Sequence, residues 1–272
     1  MEKCINDYFI MNDEAYGAEE FKDIYKVEGK CIYEVIRIIE GIPLFMKEHL
    51  KRFENSLRLV KSECEISMDI VEKYTNQLIV LNRVRNGNIK IVINEKNLYI
   101  FSIPAFYPTD KMYNDGVKTI LFFGERVNPN AKVINDEFRS AVNAKIAESN
   151  SFEAILINRD GYITEGSKSN IFEVKGDVVY TAPLEGVLPG ITREKIIEAC
   201  RELNLTVEEK NISHEEIIDL DGLFISGTSP NVLPIKEVEN VVSYDSICPV
   251  IKDIKTKFDE IIKRNLKNYE GI

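Results

Sequence analysis

The sequence predicts a mixed α+β (α/β) fold in two domains. In some segments the apolar residues recur at helical spacing, whereas others are short runs rich in β-branched and aromatic residues, as in strands. Both kinds of segment occur along the whole of the 272 residues. A chain of that length can bury one large core or two smaller ones, and we expect two.

The break between the domains is expected at residues 109–118. Turn-forming residues separate two apolar runs there, namely Pro108, Asp110, Asn114 and Gly116. We therefore expect a small N-terminal α/β domain over residues 1–108, a linker, and a larger C-terminal domain over residues 119–272.

Local patterns predict the elements of the first domain in order. The turn signal Glu40-Gly41 between two β-rich runs predicts a hairpin. Apolar residues three and four positions apart then predict an amphipathic helix, and a second segment repeats that spacing. The predicted order is a hairpin over 30–46, helices over 48–60 and 69–84, and a hairpin of strands 89–93 and 98–103 joined by Asn94-Glu95-Lys96-Asn97.

The second domain is predicted to contain two further hairpins. Their turns are the segments Arg159-Asp160-Gly161 and Lys175-Gly176-Asp177, each between two short apolar runs. The other predicted elements are a strand over 117–123, a loop over 124–132, a helix with Phe138, Val142 and Ile146 on one face, a helix over 192–203, a strand over 222–227 and a closing helix over 247–268.

Composition excludes several classes of function. Hydrophobic residues make up 44% and charged residues 29%, as in ordinary globular proteins. The formal net charge of -10 would repel phosphate backbones and anionic lipid, so we expect neither nucleic acid nor membrane as a partner. No apolar run approaches the roughly 18 residues of a membrane span, and the first residues have no apolar signal core. A cytoplasmic protein is expected.

Cysteine and histidine usage predicts neither disulfides nor a metal site. The five cysteines are an odd number at wide, irregular spacing, which is not typical of a disulfide framework or a CxxC site. The two histidines, His49 and His214, are too few and too isolated for a metal triad. We expect reduced cysteines and no bound metal.

Three small-residue motifs are candidates for binding an anionic cofactor. Gly190-Ile191-Thr192-Arg193 places a glycine before a predicted helix, whose first N–H groups can bind an anion. The turn 226–230 offers the hydroxyls of Thr228 and Ser229 after a predicted strand. Residues 164–170 link two strands through small polar residues and hold a carboxylate at the bend. Each motif alone is also typical of an ordinary cap or surface turn.

The order of these motifs resembles that of the fold-type IV pyridoxal-phosphate enzymes. That family includes branched-chain and D-amino acid aminotransferases and aminodeoxychorismate lyase, and the resemblance covers most of the chain. It implies a small N-terminal α/β domain, a larger C-terminal pseudo-barrel domain and a homodimer in which each pocket is completed by its neighbour. It also implies pyridoxal 5'-phosphate as cofactor.

The resemblance implies roles for individual residues. Glu165 matches the acid that faces the pyridine nitrogen, in a motif that runs to Asn170. A guanidinium can bind phosphate bidentately, as Arg52 of the His49-Leu50-x-Arg52 match would. The implied cofactor-binding residues are Arg52, Glu165, Ser169, Asn170, Ile191, Thr192, Gly227 and Thr228.

The lysine that carries the cofactor as a Schiff base is expected to be Lys132. Lys132-Val-Ile-Asn135 is a loose match to the family's Lys-x-x-Asn, and its position before a helix and the strand pair leading to Glu165 is the order that the family shows. Lys145, inside the following helix, and Lys168, inside the motif around Glu165, are the rivals.

Substrate-side residues are less well defined. Tyr33 aligns with a substrate-side aromatic of D-amino acid aminotransferases, although a half-buried strand tyrosine is an equal alternative, and Ser229 is a second candidate. His49 is expected to pack within its helix. Arg126 and Arg139 would either steer a carboxylate or lie on the surface. The D-amino acid enzymes carry an Arg-x-His carboxylate clamp after the second hairpin strand, and residues 102–106 contain nothing comparable.

The resemblance implies a transaminase that moves an amino group between an amino acid and a 2-oxo acid. Freed Lys132 would move the proton at the substrate Cα, and Glu165 would keep the cofactor ring protonated. Two alternatives remain open. One is an aminodeoxychorismate lyase, which shares the cofactor motifs, and the other is a cofactor-binding homologue without activity.

Overall fold

The computed structural model describes residues 2–27, 29–94 and 97–269. These residues form two compact units. The first contains the described residues up to Phe106, the short segment Ala131–Ile134 and the described residues from Ile262 onward. The second contains Tyr107–Asn130 and Asn135–Ile261.

The first unit is an antiparallel sheet covered by two long helices. The sheet has the order β2-β1-β6-β5-β3-β4. Its strands are β1 (Ile5–Met11), β2 (Glu14–Gly17), β3 (Cys31–Ile39), β4 (Ile42–Pro43), β5 (Gly87–Asn94) and β6 (Asn97–Ile103), and its helices are α1 (Phe21–Ile24), α2 (Met46–Leu59) and α3 (Met68–Leu81), with a 3-10 turn at Ala18–Glu20.

Two apolar clusters hold this sheet. One consists of alternate β3 residues, including Ile32 and Ile36, packed with Phe53 of α2 and Leu78 of α3. The period of two in β3 and the helical spacing in α2 place these side chains on facing surfaces. A second cluster contains the aromatic side chains Phe9, Phe21, Tyr99 and Phe101.

The second unit is built around a ring of strands. Strands β10, β13, β14, β7, β8 and β9 pair in that order, and β9 pairs back with β10, which closes a barrel-like sheet. The elements are α4 (Asp110–Asp115), β7 (Val117–Phe123), α5 (Asp136–Glu148), β8 (Glu153–Ile157), β9 (Ile163–Gly166), β10 (Asn170–Lys175), β11 (Val178–Thr181), α6 (Ile191–Glu202), β12 (Thr206–Glu209), β13 (Gly222–Gly227), β14 (Asn231–Val238), β15 (Val242–Ser243) and α7 (Pro249–Lys267), with 3-10 turns at Leu184–Gly186 and His214–Asp219.

The predicted mixed fold is confirmed, as are the hairpins around Glu40-Gly41, Arg159-Asp160-Gly161 and Lys175-Gly176-Asp177. The predicted helices are all present, with ends a few residues from the expected ones. Residues 95 and 96 of the remaining predicted turn lie outside the described residues. No helix in the described part of the chain is long and apolar enough to cross a bilayer.

The domain boundaries 1–108, 109–118 and 119–272 stay a prediction. In the structure, residues 109–118 contain α4 and the first residues of β7 and belong to the second unit. The segment Ala131–Ile134 and the residues after Ile261 belong to the first unit, although they follow the second in sequence.

Candidate active site

Lys132 lies on a short segment that pairs with the first residues of β3. Tyr33 N–H donates to the Lys132 carbonyl at 3.0 Å, and Ile134 N–H donates to the Cys31 carbonyl at 3.0 Å. On the other side, Lys132 N–H donates to the Ser56 hydroxyl of α2 at 3.3 Å. The backbone of Lys132 is therefore held by both a strand and a helix.

The Lys132 side chain is half-buried beside the ring of Tyr33. Its Nζ lies 4.9 Å from the ring centroid, and the Nζ of Lys90 lies 4.6 Å from the same centroid. The two rival lysines are placed differently. Lys145 is exposed on α5 and pairs with Glu148 at 2.7 Å, and Lys168 is exposed in the turn between β9 and β10.

Arg52 forms a buried ion pair with Glu34, a residue that the sequence analysis did not single out. Its Nε donates to Glu34 Oε1 and its Nη2 to Oε2, both at 2.7 Å, and His49 Nδ1 lies 2.9 Å from Oε2. All three side chains are buried. A carboxylate can only accept hydrogen bonds, so His49 Nδ1 carries the proton of this contact.

In this cluster, burial and the oppositely charged partner shift each pKa in opposite directions. Burial alone would raise the pKa of Glu34, but the Arg52 guanidinium and the hydrogen bonds of His49 and Arg52 outweigh it and hold the pKa below its ordinary value. Burial lowers the pKa of His49, against the opposing effect of Glu34, and the Arg52 and Lys132 charges lower it further. His49 is therefore neutral near pH 7, while Glu34 is ionised.

One signal could have revealed Glu34 in the sequence. In β3, the even-numbered positions are buried, and Glu34 lies between Ile32 and Ile36 on that face. A charged residue in the middle of an apolar strand face needs a buried partner of opposite charge. Arg52 and His49 occur one turn apart on the next helix, which places both on the side facing the strand.

In the second unit, Glu165 joins two of the predicted motifs. It is buried at the end of β9, where its Oε1 accepts from Arg126 Nη1 and its Oε2 from the backbone N–H of Leu188, both at 3.0 Å. Asn170 Nδ2 donates to the Leu188 carbonyl at 3.0 Å. The motif from Glu165 to Asn170 thus contacts the loop before α6 through both polar groups of Leu188.

Glu153, another residue that sequence reasoning missed, organises the turn between β9 and β10. Its Oε1 accepts from the Ser167 hydroxyl at 2.5 Å and the Ser167 N–H at 3.1 Å, and its Oε2 accepts from the Ser169 hydroxyl at 3.1 Å. Glu153 is buried at the start of β8. The predicted cofactor residue Ser169 therefore has a protein partner, and the Glu153 carboxylate fixes the conformation of the turn.

The start of α6 is shaped by a close approach at Gly190. A Cβ built at Gly190 would lie 2.1 Å from Asn170 Oδ1, so only glycine fits there without displacing Asn170. Gly190 supplies no side-chain cap, which leaves the first N–H groups of the twelve-residue helix for another acceptor. Ile191 and Thr192 in this first turn are buried.

The third motif lies at the same end of β10. Asn170 pairs with Glu165 on β9 and with Ser226 on β13, so the ends of these three strands meet. Gly227, Thr228 and Ser229 follow Ser226 and are partly exposed. The structure thus brings the three motifs of the second unit together, while Lys132, Tyr33 and Arg52 lie in the first unit.

Comparison with known proteins identifies the relatives of this chain. The family described as Amino-transferase class IV matches residues 31–238. A D-alanine aminotransferase of Bacillus licheniformis is 30% identical over 257 residues, which cover 86% of this chain and 88% of that protein. The branched-chain amino acid aminotransferase structure from Escherichia coli has a TM-score of 0.86 at 24% identity, covering 98% of both chains.

A further structure shows the cofactor in this fold. The T.th. branched-chain amino acid aminotransferase, solved with pyridoxamine 5'-phosphate, has a TM-score of 0.85 at 21% identity and covers 99% of this chain and 98% of that one. The fold and the matched family define a pyridoxal-phosphate-dependent enzyme that transfers amino groups. The chain belongs to the class IV aminotransferase family.

Proposed function

We propose that Lys132 holds pyridoxal phosphate covalently, as a Schiff base, in a transaminase for amino acids and 2-oxo acids. The observation that carries this proposal is the placement of Lys132. It is half-buried, held at its backbone by β3 and α2, and its ammonium lies on the face of Tyr33. A fixed amine with limited exposure suits a lysine nucleophile better than the exposed Lys145 does.

The residues of the chain fit the cofactor group by group. Glu165 supplies a buried carboxylate for the ring nitrogen, and its pair with Arg126 fixes its orientation. For the phosphate, the uncapped first turn of α6 offers N–H groups at Ile191 and Thr192, and Thr228 offers a hydroxyl. Arg52 remains proposed for the phosphate, because a guanidinium binds phosphate well.

The other proposed cofactor residues act through these. Asn170 and Gly190 set the distance between the β10 strand and the start of α6, and Ser169 is held by Glu153. At Gly227 an added Cβ would lie 3.3 Å from Cγ of Pro230, so a side chain there would press on the β13–β14 turn. Tyr33 and Ser229 remain proposed for the substrate side.

When bound, pyridoxal phosphate supplies an electron sink for the bond that breaks at the substrate Cα. Once the substrate amine has displaced it, the amine of Lys132 would remove the proton at the substrate Cα and hold it for return, and water would then release the 2-oxo acid and leave the amino group on the cofactor. Because the imidazole of His49 is neutral, it adds no positive charge near Lys132. A second 2-oxo acid accepts the amino group by the reverse sequence.

Replacing Lys132 tests this assignment. We expect Lys132→Ala to lower transamination by a factor on the order of a thousand or more, because both the attachment and the proton transfer are lost. Lys145→Ala, which removes an exposed lysine, should keep wild-type activity. The measurement is glutamate formed from 2-oxoglutarate with a panel of L- and D-amino acids. Borohydride reduction and peptide mapping should place the label on Lys132.

Two outcomes would overturn the proposal. A label on another lysine, or on none, would remove Lys132 from the site. Pyruvate and 4-aminobenzoate formed from aminodeoxychorismate, without glutamate formation from any donor, would instead establish the lyase reaction.

We also propose that the enzyme is a cytoplasmic homodimer. The cysteines that the structure describes are all free, and burial raises the pKa of the Cys200 thiol to about 12, which fits a reducing compartment and unreactive thiols. Large apolar side chains are exposed in the second unit, among them Phe123 at 65% and Val127 at 78%, as expected of a surface that meets another subunit.

A further inference from the structure

Arg193 is a buried arginine in the first turn of α6. Its side chain is 4% exposed, its Nη2 donates to the carbonyl of Ala182 at 3.0 Å, and the same nitrogen lies 3.2 Å from the carboxylate of Glu209. Ala182 directly follows β11, and Glu209 ends β12, which pairs with β11. One guanidinium therefore joins the start of α6 to the ends of two neighbouring strands.

This arrangement closes the loop 183–190 at its base. The chain enters the loop after Ala182 and leaves it at the start of α6, so the hydrogen bond from Arg193 to the Ala182 carbonyl spans the loop. Within the loop, the backbone N–H of Leu188 donates to Glu165. The uncapped first turn of α6, which offers the N–H groups proposed for the phosphate, follows directly.

Net stability is a weak reason for burying this guanidinium. A buried charge loses its hydration, and a pair with a carboxylate that is 43% exposed returns little of that cost. The Nε of Arg193 also has no hydrogen-bond partner among the described residues. An apolar side chain of similar volume would avoid both costs. Only a long donor, however, can bind the Ala182 carbonyl and hold the first turn of α6 at a fixed distance from β11.

We propose that Arg193 positions the first turn of α6 for the cofactor phosphate, acting through the backbone N–H groups of Ile191 and Thr192. This inference rests on the proposed function, in which those groups bind the phosphate. Hydrogen bonds weaken steeply as their angle departs from a straight line, so a small rotation of the turn weakens both. The stem of Arg193 also limits that rotation, since an added Cβ at Gly190 would lie 3.3 Å from the Cβ of Arg193.

Three variants and a control separate the roles of the guanidinium. Arg193→Met keeps most of the buried volume and removes every donor, whereas Arg193→Lys keeps the charge and a donor for the Ala182 carbonyl. Glu209→Gln removes the carboxylate and leaves the guanidinium in place. Arg201→Met is the matched control, because Arg201 is exposed in the last turn of the same helix.

The first measurement compares the affinity of the full chain, freed of cofactor, for pyridoxal phosphate and for pyridoxal, which lacks the phosphate. We expect Arg193→Met to weaken pyridoxal phosphate binding by about 10- to 100-fold, since charge-assisted hydrogen bonds to the phosphate are lost. Pyridoxal binding should change by no more than about threefold, because Glu165 keeps its pair with Arg126. Arg193→Lys should restore most of the pyridoxal phosphate affinity, and Arg201→Met should bind both ligands as the wild type does.

Glu209→Gln keeps the test decisive if Arg193→Met does not fold. It removes one of the two partners of the guanidinium at a half-exposed position, so we expect a loss of pyridoxal phosphate affinity of about two- to fivefold without a loss for pyridoxal. Equal changes for the two ligands in this variant, or no change for either, would overturn the inference.

The second measurement distinguishes positioning from a structural role. Phosphorus-31 NMR of the cofactor-loaded protein reports the surroundings of the phosphate, and we expect its resonance to shift in Arg193→Met but not in Arg201→Met. If Arg193 only stabilises the fold, Arg193→Met lowers the melting temperature, leaves the resonance in place and weakens both ligands equally or neither. That pattern in a folded variant would contradict the inference.

The inference and the proposed function fail in different ways. Borohydride labelling of Lys132 in folded Arg193→Met, together with equal losses for the two ligands, would leave the proposed function standing and remove Arg193 from phosphate binding. Absence of a label on Lys132 in the wild-type protein would overturn the proposed function, while a selective loss of pyridoxal phosphate binding in Arg193→Met would still assign Arg193 to a phosphate-binding turn.

Discussion

Two buried glutamates of this protein show how neighbours decide the charge of a carboxyl group. Glu34 and Glu173 both lie inside their units, at 0% and 1% exposure. Burial raises the pKa of each, but Glu34 faces the Arg52 guanidinium, which reverses the effect. The Oε2 of Glu173 has no hydrogen-bond partner among the described residues, and burial raises its pKa well above the ordinary value. The neighbours thus lower the pKa of Glu34, whereas burial raises that of Glu173.

The raised pKa of Glu173 predicts a stability that falls as the pH rises. The folded state holds the proton more tightly than the unfolded state, so the contribution of Glu173 is complete below its unfolded pKa of about 4.3 and is lost as the pH rises towards the folded value. Glu173→Gln removes this titration. We expect the variant to gain stability over the wild type as the pH rises above about 4.3, by at most about 1.4 kcal/mol per pH unit.

Urea denaturation at several pH values measures this difference. Glu185→Gln provides a control, because it makes the same substitution at an exposed position, where its effect on stability should stay within about 0.5 kcal/mol. Parallel slopes for the wild type and Glu173→Gln would show that Glu173 is ionised in the folded state.

At the scale of elements, the turn between β9 and β10 depends on Glu153. Two hydroxyls and two backbone N–H groups of residues 167–169 donate to its carboxylate, the latter at 3.1 and 3.4 Å. We expect Glu153→Ala to lower the unfolding free energy by about 2–4 kcal/mol, since buried donors lose their acceptor. Cofactor affinity should also fall, because the turn positions Glu165 and Asn170.

Glu148→Ala is the matched control for that prediction. It removes an exposed glutamate, 64% accessible, that pairs with Lys145 on α5, so its effect should stay within about 0.5 kcal/mol. Urea denaturation and titration with pyridoxal phosphate give the two quantities. Wild-type cofactor affinity in Glu153→Ala would show that the turn keeps its shape without the carboxylate.

Local signals account for the elements that the sequence predicted. Glycine turns and helical spacing depend on neighbouring residues, so hairpins such as β8–β9 and helices such as α2 could be recognised. Strand β14 was missed because Pro234 cannot donate a ladder hydrogen bond and argues against a strand. It is nevertheless paired, with Phe224 opposite Pro234.

The contacts of the candidate site were less predictable, because they join distant parts of the chain. The bond from Tyr33 to Lys132 spans about a hundred residues, and neither residue type indicates a partner. The Glu165 contact with Leu188 uses a backbone N–H, which any residue could supply. The motifs indicated which segments matter, whereas the role of Glu153 required the structure.

At the scale of the whole molecule, chain order and structural units differ. Residues 131–134 belong to the first unit, although the residues on both sides belong to the second. The lysine proposed to hold the cofactor therefore lies on a short segment that belongs to a different unit from its sequence neighbours. Its position depends on the pairing of that segment with β3 rather than on its sequence neighbours. Substitutions in β3 should consequently be able to affect a residue that lies far away in sequence.

The proposed homodimer must form despite the charge of its subunits. Each chain has a formal net charge of -10, so two chains repel each other, while exposed apolar side chains such as Phe123 and Val127 favour association. Repulsion between charges extends over about 30 Å in 0.01 M salt but over only about 8 Å in 0.15 M salt, because salt screens it. We therefore expect the dimer to be tighter at the higher salt concentration.

Size-exclusion chromatography with light scattering at the higher salt concentration should give twice the 31.2 kDa of one chain. Mannitol at equal osmolality, which does not screen charge, should leave the low-salt dissociation constant unchanged. A mass of one chain at every concentration and salt would exclude the dimer, and recovery of the dimer by mannitol alone would exclude charge repulsion as the cause of its weakening.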